Sequence, residues 1–401
     1  MTAANAANAA TAGGPAAGPL RVVLAGAHGF GRTYLPVLRE LAAEGRAELA
    51  GICDLNPVPA ELLAGLGTPR QAAGLAGLVR DTAADIAVIA TPLHTHAELA
   101  RAAMAAGAHL QLEKPPVASL AQFEEVLAAA GQHRRVCQVG FQSLGSQAPR
   151  AVRELVADGA IGRPRGIGVA GAWSRDTAYY GRARWAGMRR LDGTDVVDGA
   201  LTNPFAHAVA TALALDGGEI TGLELELFHA FDIEADDTSC MRVRTRGGLL
   251  DGAPLVVAVT LAAPEQQPPV ITVHGERGRI ILHYTLDRVT VERPGEPPHT
   301  TTHPRTVLLR NLVGHLAAAR TGAAAPPLLV PLAATRPFMQ VLEAVRTAPD
   351  PAPLRAEDLP GDNGARRRVV PGVTGLVRAA AETLSLFSEL PQFSGLSGRP
   401  A

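Results

Sequence analysis

Residues 85–116 read DIAVIATPLHTHAELARAAMAAGAHLQLEKPP. An apolar run at 86–90 leads into a turn at Thr91 and Pro92, a stretch with helical spacing, and a second apolar run that ends at Lys114. Short apolar runs joined by a helix are typical of parallel strands that are buried on both faces of a sheet. Open α/β sheets bind ligands outside the carboxyl ends of their strands. The pattern therefore predicts a strand–helix–strand unit that presents Lys114 at a binding crevice.

Lys114 itself has two interpretations. An ammonium group in a partly dry crevice shifts its pKa readily and can stabilise or protonate a substrate oxygen. The alternative is a solvated lysine at the end of a strand, which is the usual environment of this residue type. Because the local sequence favours the solvated lysine, the choice depends on motifs elsewhere in the chain.

A glycine-rich loop precedes this unit. An apolar run at 21–25 leads into GAHGFG at 26–31, and residues 32–44 have helical spacing. Glycines between a strand and a helix allow a tight turn and a close approach of the backbone to a pyrophosphate, and the helix N-terminus supplies amide donors. His28 is expected to be exposed or next to a phosphate and to take no part in catalysis. The predicted dinucleotide contacts of this loop are Gly26, His28, Gly29, Phe30 and Gly31.

An acidic residue closes the next predicted strand, at 48–53. Asp54 follows that strand, 23 residues after Gly31. A carboxylate at this place can accept hydrogen bonds from ribose hydroxyls and would repel a 2′-phosphate, which favours NAD over NADP. The alternative role of Asp54 is a turn cap before Asn56 and Pro57.

Four motifs in this order resemble the Gfo/Idh/MocA oxidoreductase family: the glycine loop, Asp54, a TPxxxH turn at 91–96, and Glu113-Lys114-Pro115. The resemblance implies an α/β protein with an N-terminal Rossmann domain, whose doubly wound parallel sheet also follows from the strand–helix alternation. It further implies a C-terminal α/β domain built on a large, mainly antiparallel sheet. The implied activity is NAD-dependent hydride transfer to or from a hydroxyl or carbonyl carbon of a sugar, inositol or related polyol.

The same resemblance assigns site residues. His207, at the end of GALTNPFAH (199–207), falls on the catalytic histidine position of the family. Lys114 and His207 are therefore the expected catalytic pair, although a histidine packed on a helix is the alternative for His207. The expected cofactor contacts beyond the glycine loop and Asp54 are Thr91, Pro92, His96, Glu113 and Lys114.

The chain departs from the family pattern in the second half. Asn203 stands where aspartate is usual, and Phe205 replaces a glycine. The arginine that often follows the crossing segment at 140–142 is also absent. Asparagine can orient a substrate hydroxyl but cannot act as a base or provide charge. We therefore expect Asn203 to position the substrate.

Residues 173–198 hold the densest mixture of aromatic and basic residues in a chain with only 4% aromatics. Aromatic faces stack on sugars, and arginine binds hydroxyls, carboxylates or phosphates. An oligomer interface, ordinary loop packing and a nucleic-acid patch are the competing interpretations, and the aspartates in the same segment argue against the last. The substrate-pocket candidates are Trp173, Arg175, Tyr180, Arg184 and Trp185.

Composition limits the other classes of function. The 401 residues carry a formal net charge of −1, so there is no electrostatic case for nucleic acid or an anionic membrane. No apolar run approaches the ~18 residues that span a bilayer, and the three widely spaced cysteines suggest a reducing compartment without structural zinc. His94 and His96 are two residues apart and form no chelating helix face, so we expect no metal. We expect a cytoplasmic homodimer or homotetramer.

The predicted domains are a disordered tail at 1–19, a Rossmann domain at 20–141, a substrate and oligomerisation domain at 142–368, and a C-terminal helix and tail at 369–401. Alternating patterns predict strands at 223–229, 239–245, 255–261, 270–274, 279–284 and 288–292. Helical patterns predict helices at 307–320, 332–346 and 373–390.

Two other functions fit the same sequence. One is an enzyme that retains NAD and uses transient oxidation for epimerisation, elimination or glycoside cleavage. The other is a catalytically weak dinucleotide-binding regulator or partner protein, which the asparagine at position 203 makes plausible. NADH release with substrate distinguishes the dehydrogenase from both.

Overall fold

The computed structural model describes residues 18–396, so the predicted tail at 1–19 lies outside the described residues except for its last two. A six-stranded sheet has the order β3-β2-β1-β4-β5-β6, and all its neighbours pair in parallel. This confirms the predicted doubly wound sheet, whose order reverses between β1 and β4. The strands are β1 (Leu20–Ala25), β2 (Ala47–Cys53), β3 (Arg70–Ala72), β4 (Ile86–Ile89), β5 (His109–Leu112) and β6 (Cys137–Val139).

Four helices of this half are α1 (Tyr34–Ala43), α2 (Leu75–Thr82), α3 (His96–Ala105) and α4 (Leu120–His133). The sheet residues alternate between two cores: Val23 packs with the side chains of α2, α3 and α4, whereas Val22 and Leu24 pack with those of α1. The α-helix predicted from residue 32 begins two residues later, because residues 30–33 form a 3-10 turn.

The second sheet has nine strands in the order β16-β15-β14-β13-β7-β12-β11-β10-β17. Only β7–β12 and β10–β17 are parallel pairs, which confirms the predicted large, mainly antiparallel sheet. Two short hairpins are β8 (Arg190–Leu191) with β9 (Thr194–Asp195) and β18 (Glu357–Pro360) with β19 (Arg366–Val369). The large sheet comprises β7 (Pro164–Ser174), β10 (Glu219–His229), β11 (Thr238–Arg246), β12 (Leu255–Thr260), β13 (Ala262–Gly275), β14 (Arg279–His283), β15 (Arg288–Glu292), β16 (His299–Thr302) and β17 (Ala352–Pro353).

Strand β13 is longer than the predicted run at 270–274. Its register shifts near Gln267 and Val270, and Pro268 and Pro269 lie between them. Proline cannot donate to the ladder and is tolerated in sheets at such irregularities. The prolines therefore interrupt the register of β13 without ending the strand.

The helices of the second half are α5 (Ala148–Ala157), α6 (Thr177–Tyr180), α7 (Ala206–Asp216), α8 (Leu308–Arg320), α9 (Arg336–Thr347) and α10 (Val373–Thr383). The prediction that the last helix runs to residue 390 is wrong. Leu384 adopts a left-handed conformation with φ 57° and ends α10, and a separate 3-10 turn follows at Phe387–Glu389. Helix α10 packs closely on β7, where a Cβ at Gly168 would lie 1.9 Å from the carbonyl oxygen of Ala381.

Helix α8 comes from the second half of the chain but covers the first sheet. Leu309, Leu312, Val313 and Leu316 are buried in the core that contains α1 and one face of the parallel sheet. Arg310 on the same helix pairs with Glu40 and Glu44. The Rossmann sheet therefore obtains part of one helical layer from a distant segment.

No helix among residues 18–396 is long and apolar enough to cross a membrane. Within the same residues, no group of three or more His, Cys, Asp or Glu side chains is arranged to hold a metal ion. Cys53, Cys137 and Cys240 are all buried and unpaired.

Candidate active site

A cleft of about 840 Å³ lies between the carboxyl edge of the parallel sheet and the segment that connects β7 to α7. Its sheet side contains Gly26, His28, Gly29, Phe30, Asp54, Thr91, Pro92, His96, Glu113 and Lys114. These are all the predicted cofactor residues except Gly31. Its opposite side contains Tyr179, Arg182, Trp185, Val196, Val197, Asp198 and Asn203.

The glycine loop has the shape that a dinucleotide requires. Gly26 has φ +86°, and a Cβ there would lie 2.6 Å from the carbonyl oxygen of Ala90. A Cβ at Gly31 would lie 2.1 Å from the carbonyl oxygen of Gly26, so both glycines allow close backbone packing. Nothing lies within 4 Å of a Cβ at Gly29, which leaves open space beside the backbone at the cleft. This open cradle fits a pyrophosphate of NAD.

Asp54 holds this loop in place. Its Oδ2 accepts a hydrogen bond from Ala27 N at 2.9 Å, and its Oδ1 accepts one from Asn56 N at 3.2 Å. The Nε2 of His28 lies 4.0 Å from Oδ1. Asp54 is thus both a cap of the following turn and a carboxylate that lines the cleft, so the two interpretations of this residue are compatible. Ribose binding by Asp54 stays a prediction.

Glu113 has a buried carboxylate that joins the two halves of the chain. Its Oε1 accepts hydrogen bonds from Tyr34 Oη at 2.5 Å and from Gln142 Nε2 at 3.0 Å. Its Oε2 accepts one from the backbone N of Lys114 at 3.1 Å. Burial raises the pKa of Glu113, and these donors oppose that effect. A Cβ at Gly140 would lie 2.7 Å from the carboxylate, which explains the glycine there.

His96 fastens the TPxxxH turn to the segment after Lys114. Its Nε2 lies 2.9 Å from the carbonyl oxygen of Thr91, and its Nδ1 lies 3.0 Å from that of Pro115. Burial lowers the pKa of His96. The imidazole therefore connects two strand ends at the floor of the cleft, and the Lys114–Pro115 peptide bond beside it is cis.

Lys114 is the only lysine among the 37 Lys and Arg residues of the chain. Its Nζ donates hydrogen bonds to Asn203 Oδ1 at 2.7 Å and to Asn203 O at 3.1 Å. Burial lowers the pKa of Lys114, whereas the charges of Glu113 and Asp198 raise it. The side chain is thus partly buried and held across the cleft, and the solvated interpretation is wrong.

Asn203 connects Lys114 to a buried carboxylate, Asp198, that belongs to none of the sequence motifs. The Nδ2 of Asn203 donates to Asp198 Oδ1 at 2.5 Å. The Oδ2 of Asp198 accepts hydrogen bonds from Gly187 N at 2.8 Å and from Arg182 Nη2 at 3.2 Å. Burial raises the pKa of Asp198, and these donors oppose that effect.

His207 is the second residue of α7 and does not contribute to the cleft lining. Its ring packs edge-on against Phe141 at 5.9 Å, and its Nδ1 is buried without a hydrogen-bond partner. Burial, together with the charges of Lys114 and Arg305, lowers the pKa of His207 to about 3. The imidazole is therefore neutral at ordinary pH and within electrostatic reach of Lys114.

Of the five aromatic and basic candidates, only Trp185 lines the cleft. Trp173 stacks on Phe205 at 4.4 Å, and Phe205 in turn fills the space above Gly171. The other three lie outside the lining: the guanidinium of Arg175 lies 4.9 Å from the Trp173 ring, Tyr180 packs on Phe231, and exposed Arg184 pairs with Asp192. A substrate role for these four residues stays a prediction.

Two aromatic rings at the cleft are joined by an arginine. The guanidinium of Arg182 lies 3.7 Å from the ring centre of Tyr179 and 4.7 Å from that of Trp185. Tyr179, Arg182 and Asp198 were missed because side-chain directions in a long irregular segment carry no periodic signal. Lys114 was predicted from its motif, and its being the single lysine of the chain is a second sequence signal for it, since lysine and arginine differ in shape and in how readily the pKa shifts.

Comparisons with known proteins agree with this architecture. Aligned stretches are 32% identical to 4-carboxy-2-hydroxymuconate-6-semialdehyde dehydrogenase of Sphingobium sp. and 31% identical to levoglucosan dehydrogenase of Pseudarthrobacter phenanthrenivorans. They cover 30% and 32% of this chain and only 38% and 30% of those proteins.

The crystal structure of the WlbA dehydrogenase from Bordetella pertussis, in complex with NADH and UDP-GlcNAcA, has the same fold. It superposes with a TM-score of 0.66 and 24% identity over 82% of this chain and 95% of that chain.

Two sequence profiles together match most of the chain. The profile of the oxidoreductase family with an NAD-binding Rossmann fold matches residues 20–141, and that of the GFO/IDH/MocA C-terminal domain matches residues 150–281. The first match contains the glycine loop and Lys114, and the second contains Asn203 and His207. The chain therefore belongs to the Gfo/Idh/MocA family of oxidoreductases, and its N-terminal domain is an NAD-binding Rossmann domain.

Proposed function

We propose that this protein is an NAD-dependent oxidoreductase that transfers a hydride between nicotinamide and a hydroxyl or carbonyl carbon of a sugar, inositol or related polyol. The observation that carries the proposal is the single lysine of the chain, held by Asn203 across a cleft that the glycine loop also lines. An ammonium there can stabilise negative charge that develops on a substrate oxygen.

Different residues of the cleft are assigned to cofactor binding and to contact with the substrate. NAD supplies the hydride chemistry when it is bound. The glycine loop and Asp54 would hold it, with the turn at 91–96 and the Lys114 segment next to it. Lys114 donates a hydrogen bond to the reacting oxygen of the substrate, and Asn203 keeps the ammonium in place.

His207 is the proposed proton acceptor in the direction of oxidation. Burial lowers its pKa to about 3, so the imidazole is neutral, and it becomes a strong enough base for a hydroxyl proton only where the bound substrate raises that pKa. Because His207 lies outside the cleft lining, the substrate hydroxyl or a water must reach its ring from the cleft. In the direction of reduction, the same imidazole returns the proton.

The opposite wall favours a polyhydroxylated substrate. Tyr179 and Trp185 present aromatic surface, and Arg182 and Asp198 supply polar groups beside it. Rings that stack on C–H faces, next to hydrogen-bonding groups, are a common way to bind sugars. The names of levoglucosan dehydrogenase and of the UDP-GlcNAcA complex of WlbA support this substrate class by analogy.

The test combines native mass spectrometry with a substrate screen. The purified protein is first weighed for retained NAD(H) and then incubated with NAD and a panel of polyols, free sugars and nucleotide sugars, with NADH formation and products measured. NADH formed in proportion to product supports the proposal, and Lys114→Met is the matched control, which should form NADH at least about a hundredfold more slowly. Product without net NADH would instead support the enzyme that retains NAD. NAD binding without any product would favour the regulator.

A homodimer or homotetramer stays part of the proposal. Light scattering coupled to gel filtration measures the mass of the assembly directly. A monomer with full activity would contradict this part alone.

A further inference from the structure

A buried carboxylate lies two hydrogen bonds away from the Lys114 ammonium. The connection runs from Lys114 Nζ to Asn203 Oδ1 at 2.7 Å and from Asn203 Nδ2 to Asp198 Oδ1 at 2.5 Å. The side chain of Asp198 is only 4% exposed, so solvent screens its charge little. Position 203 itself is neutral, and Asp198 is thus the carboxylate that reaches Lys114 from this wall of the cleft.

The backbone around Asp198 is held in a conformation that its sequence does not favour. Val197 has φ +44°, a left-handed value that is unusual for a β-branched residue. The hydroxyl of Thr202 donates to the carbonyl oxygen of Val197 at 2.5 Å and accepts from Gly199 N at 3.1 Å. Strain of this kind persists where surrounding contacts over-determine it, and such places cluster at functional sites. The carboxylate of the next residue, Asp198, accepts the hydrogen bond from Asn203.

We propose that Asp198 is a positioning residue of this site: through the carboxamide of Asn203 it orients the Lys114 ammonium and supplies the negative charge that position 203 lacks. The inference rests on the proposed function, because it assigns Asp198 a part in the same reaction. An aspartate at position 203 would both contact the ammonium and supply the negative charge. In this protein Asn203 makes the contact, and Asp198 supplies the charge.

The carboxylate also decides which way the amide of Asn203 points. A carboxamide can present either its oxygen or its NH2 group, and only the oxygen accepts from an ammonium. Because Asp198 accepts only, it selects the orientation in which Nδ2 faces Asp198 and Oδ1 faces Lys114. Without the carboxylate, the amide of Asn203 could turn over, and its NH2 group would then face the ammonium of Lys114, although both groups are donors.

Among the described residues, three charged groups act on the pKa of Lys114. Glu113 and Asp198 favour its charged form, and Arg182 opposes it. The Glu113 carboxylate is shared among Tyr34, Gln142 and the backbone of Lys114. His207 is neutral at ordinary pH and adds no charge. Removal of the Asp198 charge is therefore expected to lower the pKa of Lys114.

The single lysine makes this measurable without any assay of activity. Protein labelled with [13Cε]lysine gives one side-chain NMR signal, whose shift against pH reports the pKa of Lys114 directly. Asp198→Asn is expected to lower that pKa by about one unit. The double variant Asp198→Asn/Asn203→Asp, which moves the carboxylate to position 203, is expected to restore it. Asp195→Asn, which removes a carboxylate paired with Arg190 and Arg346 instead, is the control and should leave it unchanged.

Kinetics with the substrate found in the screen give the second readout. Asp198→Asn should lower kcat about tenfold or more, leave the KM for NAD unchanged, and move the alkaline limb of the pH profile to lower pH. The double variant should recover part of kcat, which a merely structural role of Asp198 would not allow. Should Asp198→Asn fail to fold, Asn203→Ala interrupts the same connection and should also lower the pKa of Lys114.

An unchanged pKa of Lys114 in Asp198→Asn, or in Asn203→Ala where the first variant does not fold, overturns the proposal. So does a double variant that folds and restores neither the pKa nor kcat. If the wild-type protein turns over no substrate, the dehydrogenase proposal fails, while the NMR titration still decides whether Asp198 acts on Lys114.

Discussion

At the scale of single residues, the most informative one is Lys114, because it is the single lysine in a chain whose 36 other Lys and Arg positions are all arginine. Arginine carries a planar, permanently charged fork, whereas lysine is a compact donor whose pKa responds to burial. Lys114 fits between the backbone carbonyl and the side-chain oxygen of Asn203. That geometry suits a tetrahedral ammonium that must also reach a substrate oxygen.

Replacement of Lys114 should therefore affect turnover more than cofactor binding. We expect Lys114→Met to lower kcat by about 10²- to 10³-fold, since loss of one hydrogen-bond donor to a developing negative charge on oxygen costs about that much. Lys114→Arg keeps the charge but not the shape, and it should recover little of the loss. NAD affinity measured by calorimetry should change little in either variant. Normal kcat in Lys114→Met would remove this residue from the mechanism.

His207 should make the protein more sensitive to acid. Its pKa in the folded protein, about 3, lies below the ordinary value of 6.5, so the unfolded chain binds the proton more readily. The contribution of neutral His207 to stability is therefore complete above about pH 6.5 and is lost as the pH falls towards 3. Between about pH 7 and about pH 4.5, wild type should lose about 2 kcal/mol more than His207→Gln in the free energy of unfolding. Denaturant titrations at the two pH values measure this, and equal losses would contradict it.

At the scale of elements, the site is assembled where strands end. The loop after β1, Asp54 after β2, the turn after β4 and Lys114 after β5 all reach the same edge because the four strands are parallel neighbours. Each loop is then tied to the next: Asp54 binds the glycine loop, and His96 binds the segment after Lys114. Hydrogen bonds within the protein thus connect the loops on the sheet side of the cleft.

The charge at the end of β2 should decide between the two nicotinamide cofactors. Asp54→Asn keeps an oxygen that can accept from Ala27 N but removes the negative charge that would repel a 2′-phosphate. We expect the variant to lose about tenfold or more of its preference for NAD over NADP, through tighter binding of NADP. Dissociation constants for both cofactors measure the change. If the preference is unaltered, Asp54 acts on the loop and not on the ribose.

At the scale of the whole molecule, the two halves of the chain share structure as well as a cleft. Helix α8 buries four apolar side chains against the Rossmann core, and Gln138 on β6 donates to the carbonyl oxygen of Leu308 at 2.5 Å. The buried carboxylate of Glu113 adds a third connection through Gln142. The position of the opposite wall relative to the glycine loop is thus set by buried contacts.

Truncation of the α8 contact should therefore destabilise the NAD-binding half. Leu312→Ala removes a fully buried side chain and should cost about 2–5 kcal/mol in the free energy of unfolding. Leu286→Ala, at a position that is 49% exposed, is the matched control and should cost little. Chemical denaturation measures both. A small effect at Leu312 would show that α8 can leave the sheet without loss of the core.

Much of this organisation could be predicted because it is local. Apolar runs, the glycine loop and the motif order identified the parallel sheet, and alternating patterns located five of the six predicted strands of the second sheet to within a few residues, whereas β13 begins eight residues before its predicted start. The end of α10 could not be predicted, because the left-handed turn at Leu384 interrupts a pattern that remains helical in its spacing. The aromatic candidates were chosen by composition, which does not record the direction of a side chain.

The sequence by itself determined the two-domain α/β architecture, the NAD-binding edge and the place of Lys114 on it, because backbone periodicity and glycine geometry act over short stretches of chain. Only the tertiary structure decided what faces Lys114. Contacts between distant segments hold the opposite wall: Arg189 donates to the carbonyl oxygens at the end of α9, and Gly187 donates to Asp198. These contacts hold the Asp198 carboxylate against the neutral side chain of Asn203, which contacts Lys114. No local sequence pattern predicts that Asp198 and Lys114 come so close together.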